Sequence, residues 1–153
     1  MPRESGSVST SIVDIARRPT RVAAVALLDS ANLPTGDLTD EHLEHFFFLG
    51  PRSAPFGLVG LEICGTDALL RSLVVAPEYR VSGSGSALVA CAEDYARMHG
   101  IGSIYLLTTT AEEFFAHRGY GRIKRGEAPD SIRSTREYSG ICPATSALMV
   151  KHL

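Results

Sequence analysis

The most constraining feature of this sequence is an apolar strand that runs into a glycine- and serine-rich loop and then into an amphipathic helix. Residues 68–75 are almost entirely apolar, and Ala76-Pro77 ends that stretch. Serine and glycine alternate over residues 82–86, and apolar residues then recur at helical spacing until Gly100. A strand, a glycine-rich loop and a helix in this order favour a fold in which strands and helices alternate.

The rest of the chain supports a mixed α/β architecture. With 153 residues and no internal repeat or linker, residues 1–153 are expected to form a single domain, with residues 1–9 flexible. Three consecutive phenylalanines at 46–48 are assigned to a buried strand or a lid. The patterns predict strands over residues 10–16, 57–64, 68–75, 103–108, 122–124 and 145–151, helices over 20–31, from Thr39, over 87–98 and over 110–117, and a loop with a turn or two of helix over 126–143.

Composition excludes several classes of protein. Fifteen Lys and Arg against seventeen Asp and Glu give a net charge of −2, which argues against a nucleic-acid binder. The longest apolar run, residues 22–28, is too short to cross a membrane, and the first ten residues lack a secretory signal. Three separated cysteines without Cys-x-x-Cys favour free thiols and argue against structural zinc. We therefore expect a cytoplasmic protein with no metal, nucleic-acid or membrane partner.

The glycine-rich loop has the chemistry that a diphosphate needs. The first four N–H groups of a helix have no partner within the helix, and glycine lets an anion approach them closely. Arg80 lies at the rim of the loop, where its guanidinium can add a charge-assisted hydrogen bond. A P-loop would need Gly-Lys-Ser/Thr, and a Rossmann fingerprint would need a small residue where Leu88 stands. A tight turn without a ligand is the alternative interpretation.

Residues 68–123 follow the order strand, Arg-x-x-Gly-x-Gly at residues 80–85, helix, strand, short helix with paired phenylalanines, and Gly-Tyr at 119–120. This order resembles that of the GNAT acetyltransferase superfamily. It implies the GNAT fold, with a central mixed sheet of six or seven strands splayed between strands 4 and 5 and helices on both faces, and acetyl-CoA as co-substrate. The cofactor contacts that it implies are Leu73, Val74, Val75, Arg80, Val81, Ser82, Gly83, Ser84, Gly85, Ser86, Thr108, Ala111 and Phe115.

A closer resemblance extends over most of the chain. The chain is similar to the N-acetyltransferases encoded in bacterial arsenic-resistance operons and to amino-acid N-acetyltransferases of the acetylglutamate synthase kind. This implies direct transfer of acetyl to the primary amine of a small amino-acid-like substrate, and allows for a homodimer. An acetylglutamate-synthase-type enzyme and an acyl-CoA-binding module without turnover are the alternatives. The matching stretches are residues 33–35, 60–62, 69–73, 107–112, 142–143 and 149–153.

Three residues depart from the superfamily pattern. Phe115 stands where many members carry a tyrosine that acts as general acid for the departing thiolate. Thr108 replaces an asparagine that is often found at the end of the preceding strand. Val81 replaces a glycine in the loop and is expected to stiffen it. The missing phenol is the reason that a binding module without turnover stays open.

Glu62 is the candidate general base. Acetyl transfer to an amine requires the amine to lose its proton, and a carboxylate acting directly or through water is the usual acceptor of that proton. Glu62 lies on the strand predicted to neighbour the cofactor strand. A surface or salt-bridged glutamate is the alternative interpretation of this residue.

Arg71 is the second candidate catalytic residue. It interrupts an apolar strand, so its charge must face a cleft or pair with a carboxylate. Alternation along the strand places it on the same face as Leu73 and Val75. One interpretation is that Arg71 holds the carboxylate of a substrate, and the other is that it pairs internally with Glu62 or Asp67.

The remaining polar residues have simpler interpretations. His42 and His45 fit a solvated helix face better than a metal site, because no other ligand cluster accompanies them. Cys142 is considered as a nucleophile, although no histidine is placed beside it. Arg133 and Arg136 either decorate a loop or reach an acidic group of a ligand.

Overall fold

A computed structural model of the chain describes residues 15–141 and 145–153, and for residues 81, 82 and 141 it describes the backbone alone. Seven strands form one mixed sheet in the order β1-β2-β3-β4-β5-β7-β6. The strands are β1 (Ala16–Arg17), β2 (Phe46–Leu49), β3 (Gly57–Cys64), β4 (Asp67–Val75), β5 (Ser103–Thr108), β6 (Gly121–Ile123) and β7 (Ala147–His152). The helices are α1 (Arg21–Ser30), α2 (Asp40–Leu43), α3 (Ser84–Met98), α4 (Glu112–Ala116) and α5 (Asp130–Arg133), with 3-10 turns at Pro77–Ser82 and Arg125–Glu127 and a π-helical turn at Glu137–Ile141.

The contacts of the chain divide it into two compact units. The first unit comprises the described residues up to Gly60 together with Ser72–Ala92, and the second comprises Leu61–Arg71 and Glu93–Leu153. Three elements, β3, β4 and α3, contribute residues to both units. The single domain over residues 1–153 stays a prediction.

The first unit is built from α1 packed on the antiparallel strands β1, β2 and β3. Thr20 caps α1, because its hydroxyl accepts the Ala23 N–H at 3.2 Å, as is typical of a helix start. Ala24 and Leu28 of α1 are fully buried in the core cluster of this unit. The three phenylalanines lie in β2, so the strand interpretation is correct. The buried residues of the cluster are Ala24, Leu28, Leu38, Leu43, Phe46, Phe48, Leu58 and Val74.

The second unit contains the parallel part of the sheet. β4 pairs with β5 from Asp67↔Ser103 to Leu70↔Leu106, and β7 lies antiparallel to both β5 and β6. The pairing of β4 with β5 ends at Leu70, although β4 continues to Val75 and β5 to Thr108. The pairing thus stops before the carboxyl end of either strand, as the splayed GNAT sheet predicts.

The segment predicted as a loop with a turn or two of helix has that character over its described residues, 126–141. It contains α5 and the π-helical turn, and Ile132 of α5 is fully buried with Leu69, Ala128 and Leu148. The positions of these turns were not predicted, because the apolar residues of the segment are too sparse to show a helical period. The strand predicted over residues 10–16 lies outside the described residues except for its end, where β1 begins at Ala16.

The other element boundaries follow the sequence closely. β3 and β5 occupy the predicted ranges, and β4 begins one residue earlier than predicted. Helix α4 is shorter than the predicted residues 110–117. Within the described residues, no helix has the length and apolar character required to cross a bilayer.

Candidate functional site

The candidate cofactor loop connects β4 to α3 in the first unit. Pro77–Ser82 forms a 3-10 turn, Gly83 adopts a φ of +77°, and α3 begins at Ser84. A Cβ at Gly83 would meet no atom within 4 Å, so the glycine serves the left-handed backbone rather than a close approach of neighbouring atoms. The amides of the first turn of α3 lie at the positive end of a 15-residue helix. This local geometry suits an anion.

Two contacts hold the start of the loop. The Arg80 Nε donates to the carbonyl of Val75 at 2.9 Å, which fixes the arginine at the end of β4. The ring of Tyr79 stacks on Phe56 with 3.9 Å between centroids. The Arg80 bond uses one of the five N–H donors of the guanidinium, and its two terminal nitrogens carry the other four.

A backbone irregularity in β4 changes which side chains share a face. Ser72 has a φ of +60°, in the left-handed region that non-glycine residues seldom occupy. At such a residue the alternation of side chains between the two faces of a strand is interrupted. The prediction that Arg71 shares a face with Leu73 and Val75, which assumed strict alternation, is therefore not supported. Leu73, Val74 and Val75 lie beyond the stretch of β4 that pairs with β5.

Arg71 lies in the second unit and pairs with two carboxylates. Its Nη1 is 2.7 Å from Oε2 of Glu62, and its Nη2 is 3.5 Å from Oε2 of Glu137. The Arg71 side chain has no exposed surface, whereas the Glu62 and Glu137 side chains are 13% and 8% exposed. We call Glu62, Arg71 and Glu137 the arginine triad. Two carboxylates and one guanidinium leave it with a charge of −1.

The arginine triad contains the internal pair that was one of the two interpretations of Arg71, and the substrate-carboxylate interpretation stays a prediction. The partner is Glu62, one of the two carboxylates considered, and a second carboxylate, Glu137, was missed. Glu137 lies in the π-helical turn, in the segment that the sequence predicted as a loop. The only sequence signal for a second carboxylate was Arg71 itself. A buried guanidinium has two terminal nitrogens, so it can accommodate two acidic partners.

The residues predicted near the end of β5 also lie in the second unit. The hydroxyl of Thr108 accepts the Ala111 N–H at 2.9 Å and so shapes the turn before α4. Phe115 is buried and meets the rings of Phe114 and Tyr120 edge-on. The contact of Thr108, Ala111 and Phe115 with a cofactor stays a prediction.

Tyr120 does not replace the phenol that is missing at position 115. Its hydroxyl donates to Oε2 of Glu93 at 3.0 Å, and the Lys151 ammonium lies 3.1 Å from the same carboxylate. Burial, and then the charge and hydrogen bond of Glu93, raise the pKa of Tyr120 above its usual range. The phenol therefore keeps its proton. We call Glu93, Lys151 and Tyr120 the Glu93 cluster.

Cys64 lies at the end of β3, two residues after Glu62. Its thiol is half-buried, and burial, together with the charges of Glu62 and Asp67, raises its pKa to about 11. A thiol with this pKa remains protonated at neutral pH and is a poor nucleophile. Cys142, the other cysteine considered as a nucleophile, lies outside the described residues.

The other polar residues have local partners. The Thr39 hydroxyl accepts the His42 N–H at 3.2 Å and the His42 ring accepts the Thr39 N–H at 3.3 Å, which forms a capping box at α2. Arg133 pairs with Asp130 on α5. Arg136 is exposed. The expectation of no metal stays a prediction.

A family profile and a relative of similar sequence both point to acetyltransferases. Residues 11–123 match the profile of the Acetyltransferase (GNAT) family. The amino-acid acetyltransferase of Neisseria meningitidis is 29% identical over 119 residues, which cover 74% of this chain and 26% of that protein. The chain therefore spans about a quarter of the length of this relative.

Solved structures share the fold. The N-acetylglutamate synthase from Neisseria gonorrhoeae, complexed with coenzyme A and N-acetyl-glutamate, superposes with a TM-score of 0.75 at 23% identity, over 92% of this chain and 35% of that chain. A GNAT-family acetyltransferase from Staphylococcus aureus Mu50 superposes with a TM-score of 0.70 at 17% identity, over 92% and 98% of the two chains. The likeness in fold thus extends to a protein of similar length.

Proposed function

The chain belongs to the Acetyltransferase (GNAT) family of acyltransferases, and on this premise we propose that it transfers acetyl from acetyl-CoA to the primary amine of a small, amino-acid-like substrate. The observation that carries the proposal is the left-handed turn at Gly83, which opens a 15-residue helix directly after β4. The proposal includes a cytoplasmic setting and allows for a homodimer.

The cofactor is proposed to bind through backbone groups. The N–H groups at the start of α3 receive the diphosphate, and Arg80 adds its guanidinium at the rim. A helix terminus contributes about 0.3–1 kcal/mol at an exposed site, so further contacts are needed for useful affinity. The backbone of Leu73, Val74 and Val75, beyond the paired part of β4, supplies them by hydrogen bonding to the pantetheine as an added strand does.

Glu62 is proposed as the general base. The acceptor enters as an ammonium, and the partly exposed carboxylate of Glu62 favours its approach. Glu62 is the most exposed of the three side chains, and Arg71 holds its carboxylate from the buried side. Once the proton has left, the amine nitrogen attacks the thioester carbonyl. A tetrahedral intermediate forms, and the N–H groups near Val74 and Val75 stabilise its oxyanion. When the C–S bond breaks, the second proton of the attacking nitrogen passes to the departing thiolate, so that the N-acetyl amide and the thiol of coenzyme A are released and Glu62 returns its proton to solvent.

The relatives narrow the class of amine that is proposed to receive the acetyl group. Because a relative with 29% identity is an amino-acid acetyltransferase, amino acids, with glutamate among them, are the first acceptors to test. An amino-acid-like arsenical belongs to the same panel, as an acceptor of the arsenic-resistance type. Arg71 is already paired with two carboxylates, so a substrate carboxylate at Arg71 would have to displace one of them.

The experiment is a coupled assay with purified protein, acetyl-CoA and a panel of amines, in which a thiol-reactive dye measures free coenzyme A. Release that depends on one amine, with the acetylated amine identified by mass spectrometry, supports the proposal. Binding of acetyl-CoA by calorimetry with no release for any amine would favour an acyl-CoA-binding module. No binding of acetyl-CoA would refute both functions.

A further inference from the structure

A cavity of about 480 Å³ lies in the second unit, beside β6 and the start of β7. Its polar lining consists of Arg122, Lys124, Arg125, Glu127 and Ser146, and we call it the basic cavity. Its volume falls in the range of about 300–1,000 Å³ that small-molecule sites occupy. None of these residues belongs to the arginine triad or to the loop before α3.

Ser146 gives the first indication of a ligand. The residue is 4% exposed, and its buried Oγ has no hydrogen-bond partner among the described residues. Buried hydroxyl groups in folded proteins are nearly always hydrogen-bonded, because an unsatisfied one keeps the cost of leaving water. Ser146 is thus a residue of the cavity lining whose hydroxyl lacks a partner among the described residues.

The charge of the basic cavity gives the second indication. Three cationic side chains face one carboxylate, which leaves a charge of +2. The carboxylate of Glu127 is engaged with backbone, since its Oε1 accepts the N–H of Lys124 at 2.9 Å. Arg122 pairs with Glu112 only at 3.4 Å, between side chains that are 63% and 45% exposed. Exposed pairs of this kind are weak, so Arg122 is available to a ligand.

Arg125 is held in place without a carboxylate partner in the ion pairs of the described residues. Its Nη1 and Nη2 donate to the carbonyls of Ser146 and Tyr138, each at 3.4 Å. The guanidinium also lies 4.6 Å from the centre of the Tyr138 ring, and the Tyr138 hydroxyl donates to the Arg125 carbonyl at 2.6 Å. A guanidinium fixed in this way keeps its positive charge and loses little freedom when it binds an anion.

The position of the basic cavity fits ligand binding. Ala147, which also lines it, pairs with Thr108 at the carboxyl end of β5. In α/β sheets, ligands bind outside the carboxyl ends of the parallel strands.

We propose that the basic cavity binds a small oxyanion, a carboxylate or phosphate group, through Lys124, Arg122, Arg125 and the Ser146 hydroxyl. Two sources share this chemistry: an acid group of the acceptor amine, or a free anion. Only the first source rests on the proposed acetyl transfer, and binding itself does not.

The test is a titration of the isotope-labelled full chain with sodium glutarate and with sodium phosphate, followed by the backbone amides of residues 121–127 and 145–148. This readout separates the basic cavity from the start of α3, which also attracts anions. Saturable shifts are expected at these amides, and sodium chloride at equal ionic strength is expected to cause none. Lys124→Gln should weaken binding about tenfold, as one lost charge-assisted contact does. Ser146→Ala should weaken it less.

The control is Arg97→Gln, which removes an exposed guanidinium of α3 that is paired with Asp94. It should leave the affinity unchanged. Equal shifts with chloride, or wild-type affinity in both Lys124→Gln and Ser146→Ala, would overturn the proposal. Loss of affinity in Arg97→Gln as large as in Lys124→Gln would also overturn it, because it would show a diffuse charge effect.

Kinetics then identify the source of the anion. Glutarate that competes with the acceptor amine, but not with acetyl-CoA, assigns the basic cavity to the acid group of the acceptor. Saturable binding that leaves turnover unchanged assigns it to a free anion. If no amine is acetylated, the proposed function fails, and the amide titration still decides whether the site exists.

Discussion

The second unit contains two buried ionic clusters that differ in their balance of charge. In the Glu93 cluster, one carboxylate meets one ammonium, Lys151, and one phenol, Tyr120. In the arginine triad, two carboxylates, Glu62 and Glu137, share one guanidinium. Counted over its own side chains, the first cluster is formally neutral, because its phenol keeps its proton, whereas the second has a formal charge of −1.

We interpret the difference in charge between the two clusters as a difference in role, one serving stability and the other function. A balanced cluster satisfies its own charges and needs no partner from outside the protein. In the arginine triad the Glu62 side chain remains 13% exposed, so its carboxylate can meet an incoming ammonium. We therefore interpret the Glu93 cluster as structural and the arginine triad as the site that handles the proton of the amine.

The largest effect on stability is expected when the arginine triad loses its shared cation. Arg71→Met leaves Glu62 and Glu137 buried without their guanidinium, and should lower the free energy of unfolding by about 3–5 kcal/mol. Denaturation in urea measures it. Arg97→Met, which breaks only an exposed pair, should change the same quantity by less than about 1 kcal/mol. Equal losses in the two variants would mean that the triad is not held by its charges.

Next in size is the loss of the proposed base. Glu62→Gln should lower kcat by about 100-fold, near the lower limit for general-base catalysis. It should leave stability nearly unchanged, because Arg71 and Glu137 then form a balanced pair. Activity should recover in part at high pH, where more of the amine is neutral. A loss of kcat that is the same at every pH would assign Glu62 to structure.

The Glu93 cluster should respond in the opposite way. Glu93→Gln removes the carboxylate that Lys151 and Tyr120 share, and should lower the free energy of unfolding by about 1–3 kcal/mol. Because this cluster takes no part in the proposed chemistry, kcat and KM should stay at their wild-type values. A fall in kcat without a loss of stability would erase the distinction between the two clusters.

The smallest expected effect is on the pKa of the Cys64 thiol, which reports the charge of Glu62. The carboxylate of Glu62 helps to raise the pKa of this thiol to about 11 because it disfavours the thiolate. In Glu62→Gln the pKa should therefore fall, and alkylation of Cys64 should begin at a lower pH. Peptide mass spectrometry can follow Cys64 alone across a pH series. Glu93→Gln is the control, and a shift of equal size in both variants would contradict the assignment.

The sequence predicted the elements whose signals are local. The apolar stretches of β3 and β5 gave their ranges, and Thr20 marked the start of α1 because its hydroxyl caps that helix. The same local reasoning does not reveal the positive φ at Ser72, since serine carries no sign of one, and so could not show that alternation is interrupted next to Arg71.

Glu62 was one of two carboxylates considered for Arg71, but the other partners of the buried charges could not be predicted, because they lie far apart in the chain. Glu93 and Lys151 are 58 positions apart, and no periodicity connects them. Glu137 joins Arg71 from a π-helical turn in a segment with sparse apolar residues. The sequence does show that the charge of Arg71 must face a cleft or pair with a carboxylate. Only tertiary structure shows that it has two.

The central claim is that the start of α3 receives the diphosphate of acetyl-CoA, and a crystal structure of the chain grown with acetyl-CoA tests it most directly. We predict the diphosphate at the backbone N–H groups that follow Arg80, with the thioester near Val74 and Val75. A diphosphate bound elsewhere on the chain, with this helix start empty, would contradict the account.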